Sequence, residues 1–313
     1  MLETDSNDFK SGFVAILGRP NAGKSTLVNS ILGQKVAITS PKPQTTRTKV
    51  RGILNREQSQ IVFVDTPGFC DDANALKKAM RKAAGTTPSD CDLTLLVVEV
   101  RATEDPLSLS EVDEKIMTAA RQAHGGIVVA LNKVDRLRPK QLVLPWMQFY
   151  GSLEGVKGVV PISALHNDVL DALEEELLKH LEEGQPLFPR EHHTDQTERQ
   201  LCEELIREQL LLQTQEEVPH GVAVVVELFD DARTDDGGLV RIEGRIYVDR
   251  ESQKGIVVGK KGARIKAISE KARVAMEHLL QSKVYLRMQV AVDKQWTRRP
   301  DAVSRYGIGG GAE

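Results

Sequence analysis

The stretch Gly18-Arg19-Pro20-Asn21-Ala22-Gly23-Lys24-Ser25 decides the fold of the N-terminal half of this chain. It satisfies the pattern G-x-x-x-x-G-K-[ST], follows an apolar run at residues 13–17 and opens a segment of helical period at 24–32. A strand, a glycine loop and a helix in this order direct backbone amides at anionic oxygens. The sequence therefore predicts a phosphate-binding loop in which Lys24 reaches the β- and γ-phosphates of a nucleotide and the Ser25 hydroxyl can ligate magnesium.

Strands and helices alternate beyond this loop. The apolar runs that we expect to form buried strands are residues 13–17, 61–64, 93–100, 126–131 and 158–162. The segments of helical period are residues 24–32, 73–84, 110–122, 141–151 and 167–181. The alternation predicts a doubly wound α/β domain with a mainly parallel sheet. Residues 49–56 are a more polar strand candidate, which we expect to run antiparallel at an edge.

The tetrapeptide Asp65-Thr66-Pro67-Gly68 follows the second apolar run directly. A carboxylate at that strand end can hold magnesium through water, and the Gly68 amide can sense a γ-phosphate and be released when the phosphate leaves. Phe69 comes next, where many GTPases carry the glutamine that orients the attacking water. We therefore expect slow intrinsic hydrolysis, with the water positioned by backbone, a bound cation or a partner.

The tetrapeptide Asn132-Lys133-Val134-Asp135 ends the fourth apolar run and predicts which base is bound. The Asp135 carboxylate can accept from N1–H and the N2 amino group of guanine, a pair of donors that adenine lacks on that edge, while the Lys133 stem can lie along the base plane. Ser163-Ala164-Leu165 follows the next strand and would offer backbone amides to guanine O6. The order and spacing of these motifs favour GTP over ATP.

The composition is that of an ordinary globular protein of 313 residues, 40% of them hydrophobic and 28% charged. The N-terminus lacks the basic-then-apolar order of a signal peptide, and no apolar run approaches the ~20 residues needed to span a bilayer. Cys70, Cys91 and Cys202 are too few and too scattered for a disulfide framework or a four-ligand zinc site. We expect a cytoplasmic protein with reduced thiols.

A second module begins after residue 181, where the polar stretch 182–193 contains two prolines and is typical of a linker. The predicted elements that follow are a helix at 197–213, strands at 221–228 and 239–248, the loop Gly259-Lys260-Lys261-Gly262, a helix at 263–280 and a strand at 283–292. With a further helix before the loop, the order α-β-β-α-α-β predicts a compact α+β unit. Residues 198–236 carry 11 acidic and 3 basic side chains, whereas residues 241–305 carry 16 basic and 7 acidic ones. The late excess of positive charge predicts a basic face.

The first module resembles the translation-factor-related GTPases, and in particular their Era-like branch. The strings that carry the resemblance are GRPNAGKST at 18–26, QTTR at 44–47, DTPG at 65–68, NKVD at 132–135 and SAL at 163–165. The resemblance implies that Thr46 is the switch threonine that completes the magnesium shell in the GTP state. From the sequence alone, Thr45 and Thr46 are hard to separate. Asn21 resembles the asparagine that ligates potassium in related cation-assisted GTPases, which makes K⁺ a candidate cofactor beside GTP, GDP and Mg²⁺.

The site residues implied by this resemblance fall into three sets. Catalysis is assigned to Lys24, Thr46 and Gly68. Nucleotide binding is assigned to Asn21, Ala22, Gly23, Lys24, Ser25, Thr26, Asp65, Gly68, Asn132, Lys133, Asp135, Ser163 and Ala164. Magnesium is assigned to Ser25, Thr46 and, through water, Asp65.

The second module resembles a KH domain over residues 255–266, where a short G-x-x-G turn clamps the sugar-phosphate backbone of single-stranded RNA. The candidate RNA-binding residues are Gly259, Lys260, Lys261, Gly262, Arg264 and Lys266. The expected fold is therefore an α/β P-loop GTPase domain with a mixed, mainly parallel doubly wound sheet, followed by a smaller α+β type II KH domain. The expected boundaries are 10–183 for the GTP-binding domain, 184–196 for the linker, 197–306 for the KH domain and 307–313 for a flexible tail.

The function implied by the resemblance is that of a GTP-dependent switch in assembly of the 30S ribosomal subunit. The KH domain would hold the 3′ end of the small-subunit ribosomal RNA, so that this RNA and the 30S precursor are the expected partners. The resemblance further implies a monomer without a transmembrane segment, for which peripheral association with the inner face of the cell membrane is a family property. The segment Phe69-Cys70-Asp71-Asp72 departs from the family pattern and makes that switch acidic.

Three alternatives share some of these motifs. A GTPase of tRNA modification or metal-ion transport would need a further helical domain or membrane spans. A two-GTPase assembly factor would need a second P-loop. An RNA-binding module could also use bound GTP only structurally, and a single-turnover hydrolysis assay would separate that interpretation from an enzyme.

Overall fold

A computed structural model describes residues 9–42, 45–65, 75–85, 88–102, 108–214, 221–233 and 238–308. The chain divides into two compact units that are not consecutive in sequence. The first unit comprises Met1–Val36, Lys49–Phe69 and Arg81–Asp195. The second unit comprises Ala37–Thr48, Cys70–Met80 and Gln196–Glu313.

The first unit is built on a six-stranded sheet with strand order β2-β3-β1-β4-β5-β6. The strands are β1 Lys10–Leu17, β2 Val50–Asn55, β3 Ser59–Asp65, β4 Leu93–Glu99, β5 Ile127–Asn132 and β6 Val156–Pro161. Neighbouring strands are parallel except for β2, which runs antiparallel to β3 at the edge. The prediction of a mixed, mainly parallel sheet with an antiparallel edge strand is confirmed.

Helices cover both faces of this sheet. In chain order the first five helices are α1 Lys24–Leu32, α2 Ala75–Gly85, α3 Glu111–Ala120, α4 Val143–Gly151 and α5 Leu170–Leu178. Of these, α2 begins in the second unit, to which its residues 75–80 belong. One apolar layer joins strand residues to Leu27 and Leu173, and a second joins them to Ile116 and Trp146. Because β3 and β5 are buried along their whole length, polar motifs can be reached only where these strands end, at the carboxyl edge of the sheet.

The segment after α5 packs against the sheet of the first unit. The Gln60 side chain on β3 accepts hydrogen bonds from the amides of Leu187 and Phe188, at 2.7 and 2.8 Å, and donates to the Phe188 carbonyl at 2.8 Å. The Phe188 ring also meets that of Phe13 edge to face, with 6.4 Å between centroids. These contacts attach the proline-containing stretch to the first unit at residues 187 and 188.

The second unit has a three-stranded sheet with the order β7-β8-β9. Its main elements are α6 Glu198–Gln213, β7 Val222–Asp231, β8 Leu239–Val248, α7 Glu251–Val258, α8 Ala263–Leu280, β9 Lys283–Val292 and α9 Pro300–Arg305. Strands β7 and β8 are antiparallel, and β8 and β9 are parallel. The predicted order α-β-β-α-α-β and the small α+β fold are confirmed.

Two apolar clusters hold the second unit together. The larger one joins the three strands to α6 and α8 through residues such as Ile206, Ile246 and Met276. The smaller one joins Leu76 and Met80 of α2 to C-terminal residues that include Trp296 and Val303. Among the helices of the described residues, none is both long enough and apolar enough to cross a membrane.

Candidate functional site

The loop between β1 and α1 lies too close to the neighbouring strands for side chains at its glycines. Gly18 has a φ of 149°, and a Cβ there would lie 2.3 Å from the Val97 carbonyl oxygen. Gly23 has a φ of 101°, and a Cβ there would lie 2.3 Å from Nδ2 of Asn132. Both positions therefore require glycine, and the loop backbone is held against β4 and β5.

Lys24 points back into the loop that precedes it. Its Nζ donates hydrogen bonds to the carbonyl oxygens of Gly18 and Arg19, both at 3.0 Å. Burial lowers the pKa of the Lys24 ammonium, while the charge of Asp65 acts in the opposite direction. The ammonium is thus held at the loop by two carbonyl groups, which phosphate oxygens can replace as hydrogen-bond acceptors.

The first two predicted magnesium ligands lie side by side. The Ser25 hydroxyl donates to Oδ2 of Asp65 at 2.9 Å. Asp65 is the last residue of β3 and is fully buried. A hydroxyl and a carboxylate beside a phosphate loop are oxygen ligands of the kind Mg²⁺ prefers, so this pair fits the ion.

Two other predicted residues are not placed in this cluster. Gly68, together with the segment Phe69-Cys70-Asp71-Asp72, lies outside the described residues. Thr46 belongs to residues 37–48 of the second unit. Their catalytic roles stay predictions.

Asn132 connects three loops of the site. Its Nδ2 donates to the Ala22 carbonyl at 2.9 Å. Its Oδ1 accepts from the amides of Lys133 at 2.8 Å and Ala164 at 3.0 Å. Ser30 on α1 also donates its hydroxyl to the Ala164 carbonyl at 2.6 Å. The phosphate loop and the two predicted base-recognition loops therefore form one hydrogen-bonded assembly.

The predicted guanine-recognition residues converge at the edge of this assembly. Oδ1 of Asp135 accepts from the Ser163 hydroxyl at 2.6 Å. Lys133 has a left-handed backbone with a φ of 68°, and its Nζ donates to the Asn21 carbonyl at 2.8 Å. Thr26 is the third residue of α1 and is half-buried. The structure therefore brings together most of the nucleotide-binding residues that the motifs predict.

Sequence reasoning missed two carboxylates that pair with cationic side chains of the site, one at the phosphate loop and one at the base-recognition loop. Arg19 forms a bidentate pair with Asp113 of α3, with Nε–Oδ1 at 2.7 Å and Nη2–Oδ2 at 2.6 Å. Glu99 ends β4 and pairs with Nζ of Lys133 at 2.8 Å. The only sequence signal for Glu99 is a lone carboxylate at the end of a buried apolar run; Asp113 gives none, because its pairing depends on where α3 packs.

The described residues 37–42 and 45–48 belong to the second unit and include three that contact α6 or β7. The Thr39 amide donates to Oε1 of the buried Glu208 at 2.9 Å. The guanidinium of Arg207 donates to the Thr45 carbonyl, and that of the buried Arg47 donates to the Val222 carbonyl. Burial lowers the pKa of Arg47 to about 9, with the nearby charge of Arg207 as a second cause.

The predicted RNA-binding loop lies between α7 and α8. Gly259 has a φ of 70° and a ψ of 177°, and a Cβ there would lie 2.8 Å from Cβ and 3.1 Å from the backbone nitrogen of Arg264. Gly262 also has a positive φ, of 78°, but a Cβ there would meet no atom within 4 Å. Lys260, Lys261 and, on the first turn of α8, Lys266 are exposed. The loop therefore presents backbone and cationic side chains together, as a phosphate backbone requires.

Comparison with known proteins agrees with this division into two sites. Residues 13–133 match the family model described as a 50S ribosome-binding GTPase, and residues 217–297 match the KH domain model. The GTPase Era of Syntrophus aciditrophicus (strain SB) is 44% identical over 301 residues, which cover 96% of this chain and 95% of that protein. The GTPase Era of Trichlorobacter lovleyi is 42% identical over 299 residues, 96% of this chain and 98% of that protein.

Two solved structures are similar over almost the whole chain. One is a single-residue variant of Aquifex aeolicus Era bound to GDP·AlF4⁻, and the other is Era in complex with MgGDPNP and nucleotides 1506–1542 of 16S ribosomal RNA. Each is 38% identical with a TM-score of 0.86, covering 96% of this chain and 99% of the other. The chain belongs to the Era family of GTPases and is a GTP hydrolase.

Proposed function

We propose that this protein is a GTP-dependent switch that binds small-subunit ribosomal RNA near its 3′ end during assembly of the 30S subunit. The observation that carries the proposal is the presence in one chain of two features: a hydrogen-bonded assembly of the phosphate loop with the Asn132–Asp135 and Ser163–Ala164 loops, and a glycine-lysine loop that presents backbone and cationic side chains. The similar Era structure with MgGDPNP and 16S ribosomal RNA nucleotides supports the same pairing of ligands.

In the proposed nucleotide site, Lys24 exchanges the carbonyls of its own loop for oxygens of the β- and γ-phosphates. Ser25, Thr46 and, through water, Asp65 would hold Mg²⁺, which when bound neutralises charge on those phosphates. The Gly68 amide would donate to the γ-phosphate and lose this contact after hydrolysis. Backbone amides of residues 21–26 surround the remaining phosphate oxygens.

The proposed base site reads guanine through one carboxylate. Asp135 accepts from N1–H and the N2 amino group, and Lys133 lies along the base plane. Asn132 holds the loop of Ser163 and Ala164 in place, so that a backbone amide of this loop can donate to guanine O6. Adenine would leave the Asp135 acceptors unpaired, and this cost favours GTP.

Residue 69 is phenylalanine, so no glutamine at this position can orient the attacking water. We propose that intrinsic GTP hydrolysis is slow for this reason. A K⁺ ion held by Asn21 is one source of the missing electrostatic assistance. The proposal predicts a higher GTPase rate in potassium than in sodium buffer at equal ionic strength. Equal rates would remove K⁺ from the site.

The RNA site is proposed to comprise Gly259, Lys260, Lys261, Gly262, Arg264 and Lys266. We further propose a GTP-binding domain at 10–183, a linker at 184–196 and a KH domain at 197–306; residues 309–313 of the expected tail lie outside the described residues. The protein would act as a cytoplasmic monomer that can associate peripherally with the inner face of the cell membrane. Its macromolecular partners would be the ribosomal RNA and the 30S precursor.

Nucleotide-dependent RNA binding tests this function. The full-length protein, loaded with either GDP or a nonhydrolysable GTP analogue, is titrated into a labelled RNA that corresponds to nucleotides 1506–1542 of 16S ribosomal RNA. We expect tighter binding with the analogue, since the γ-phosphate orders the switch segments. Identical affinities in the two states would rule out the switch, and a scrambled RNA of equal length that binds equally well would rule out the sequence preference.

A further inference from the structure

The ammonium group of Lys133 is held from two sides in the first unit. Its Nζ lies 2.8 Å from the carbonyl oxygen of Asn21 and 2.8 Å from Oε1 of Glu99. Glu99 is the last residue of β4, and the parallel register places it opposite Asn132 on β5. A carboxylate on one strand thus reaches the lysine that follows directly after the neighbouring strand.

Glu99 is the carboxylate shared by several cations. Besides Lys133, Arg101 donates to its Oε2 at 3.2 Å, and Nη1 of Arg136 lies 3.6 Å from its Oε1. Burial acts to raise the pKa of Glu99, but the hydrogen bonds and charges of Lys133 and Arg101 outweigh burial and hold the pKa below its ordinary value. The Glu99 carboxylate is therefore ionised at neutral pH. Removing its charge would leave the positive charges of Lys133, Arg101 and Arg136 close together without a shared anion.

This pair differs from the ion pairs of an open surface. The side chains of Lys133 and Glu99 are only 20% and 17% exposed. Exposed ion pairs contribute little because both side chains keep their freedom and water screens the charges. Here one end of Lys133 is fixed by a left-handed backbone with a φ of 68°, and the other by Glu99 and the Asn21 carbonyl.

We propose that Glu99 is a positioning residue for guanine-nucleotide binding, because it fixes the Lys133 stem as one wall of the base pocket before the nucleotide arrives. The inference rests on the proposed role of Lys133 beside the base plane. A free lysine has four rotatable side-chain bonds, so ordering it during binding would cost affinity. Glu99 removes that cost in advance, as preorganisation does generally.

The inference predicts a loss of nucleotide affinity that is the same whichever groups the base carries on the edge that Asp135 reads. The stem of Lys133 meets the face of the ring, whereas Asp135 reads its edge. Glu99→Gln should therefore raise the Kd for GDP and the Kd for inosine diphosphate by the same factor, about 3- to 10-fold. The matched control is Glu111→Gln, which removes a carboxylate from an exposed pair with Lys115 on α3 and should change neither Kd.

A double-mutant cycle in the full-length protein separates positioning from general damage. Glu99→Gln is measured alone and in a Lys133→Ala background, by titration with GDP and with inosine diphosphate. If Glu99 acts through Lys133, its substitution has no further effect once the lysine is absent. A defect of equal size in both backgrounds would overturn the inference, as would a defect that differs between the two nucleotides or a Kd equal to that of the unchanged protein. If the unchanged protein failed to bind GDP, the proposed site itself would be wrong, and this inference with it.

Discussion

Replacing Asn132 with alanine tests whether a single buried side chain holds the nucleotide site together. The change removes three hydrogen bonds, with the Ala22 carbonyl and the amides of Lys133 and Ala164. Asn132 is only 2% exposed, so water does not readily replace its amide group. A buried group left without a partner costs about 1–3 kcal/mol, and with two such groups at Ala22 and Ala164 we expect the first unit to lose about 2–6 kcal/mol of unfolding free energy.

The assay uses the two tryptophans of the chain, since Trp146 lies in the first unit and Trp296 in the second. In a Trp296→Phe background, urea unfolding followed by tryptophan fluorescence reports the first unit. The control is Ser152→Ala, because the Ser152 hydroxyl donates to the Phe149 carbonyl at 2.8 Å in an exposed position, where such a bond is worth about 1 kcal/mol or less. Equal unfolding free energies for the two variants would refute the reasoning, and so would a GDP affinity unchanged by Asn132→Ala.

Three further substitutions probe other parts of the molecule. Asp135→Asn should shift base preference from guanosine toward xanthosine nucleotides, which competition between GDP and xanthosine diphosphate measures; an unchanged preference for GDP would contradict the assignment. Gly259→Asp should spare GTP binding but weaken RNA binding more than Gly262→Asp, because of these two glycines only Gly259 would place a Cβ 2.8 Å from Cβ and 3.1 Å from the backbone nitrogen of Arg264; equal RNA affinities of the two variants would contradict this. Burial raises the pKa of Glu203 from 4.5 to about 7, against the lowering effect of the Val226 amide. The folded-state pKa lies above the unfolded one, so the contribution of Glu203 to stability is fully present below pH 4.5 and is lost as the pH rises through about 7. Glu203→Gln should flatten this slope in thermal unfolding, and an unchanged slope would count against it.

Local sequence patterns predicted the parts of the fold and site that depend on a short stretch of chain. The phosphate loop is such a case, because Gly18 and Gly23 supply positive φ within the same eight residues that carry Lys24 and Ser25. The strand that ends at Asn132 is another, since its apolar run is buried on both faces of the sheet. In each case the residues that make the structure are neighbours in sequence.

The contacts that sequence did not predict join residues far apart in the chain. Arg19 pairs with Asp113 and Lys133 pairs with Glu99 only because strands and helices bring them together. The same holds for Arg47, whose motif gives no sign that its guanidinium is buried against the Val222 carbonyl in the second unit. Single-sequence patterns contain no information about which strand lies beside which, so these partners required the folded chain.

The apolar cluster of Leu76, Met80, Trp296 and Val303 bears on how the protein can be dissected. A cut after residue 195 would fall at the end of the last segment of the first unit. It would not free a self-contained nucleotide domain. It would instead strip Leu76 and Met80 of the side chains that cover them, and would leave Arg47 and Thr39 without their partners at Val222 and Glu208. Such a fragment would expose apolar and charged groups that are buried in the intact chain, so poor solubility would reflect the place of the cut rather than weak folding of the domain.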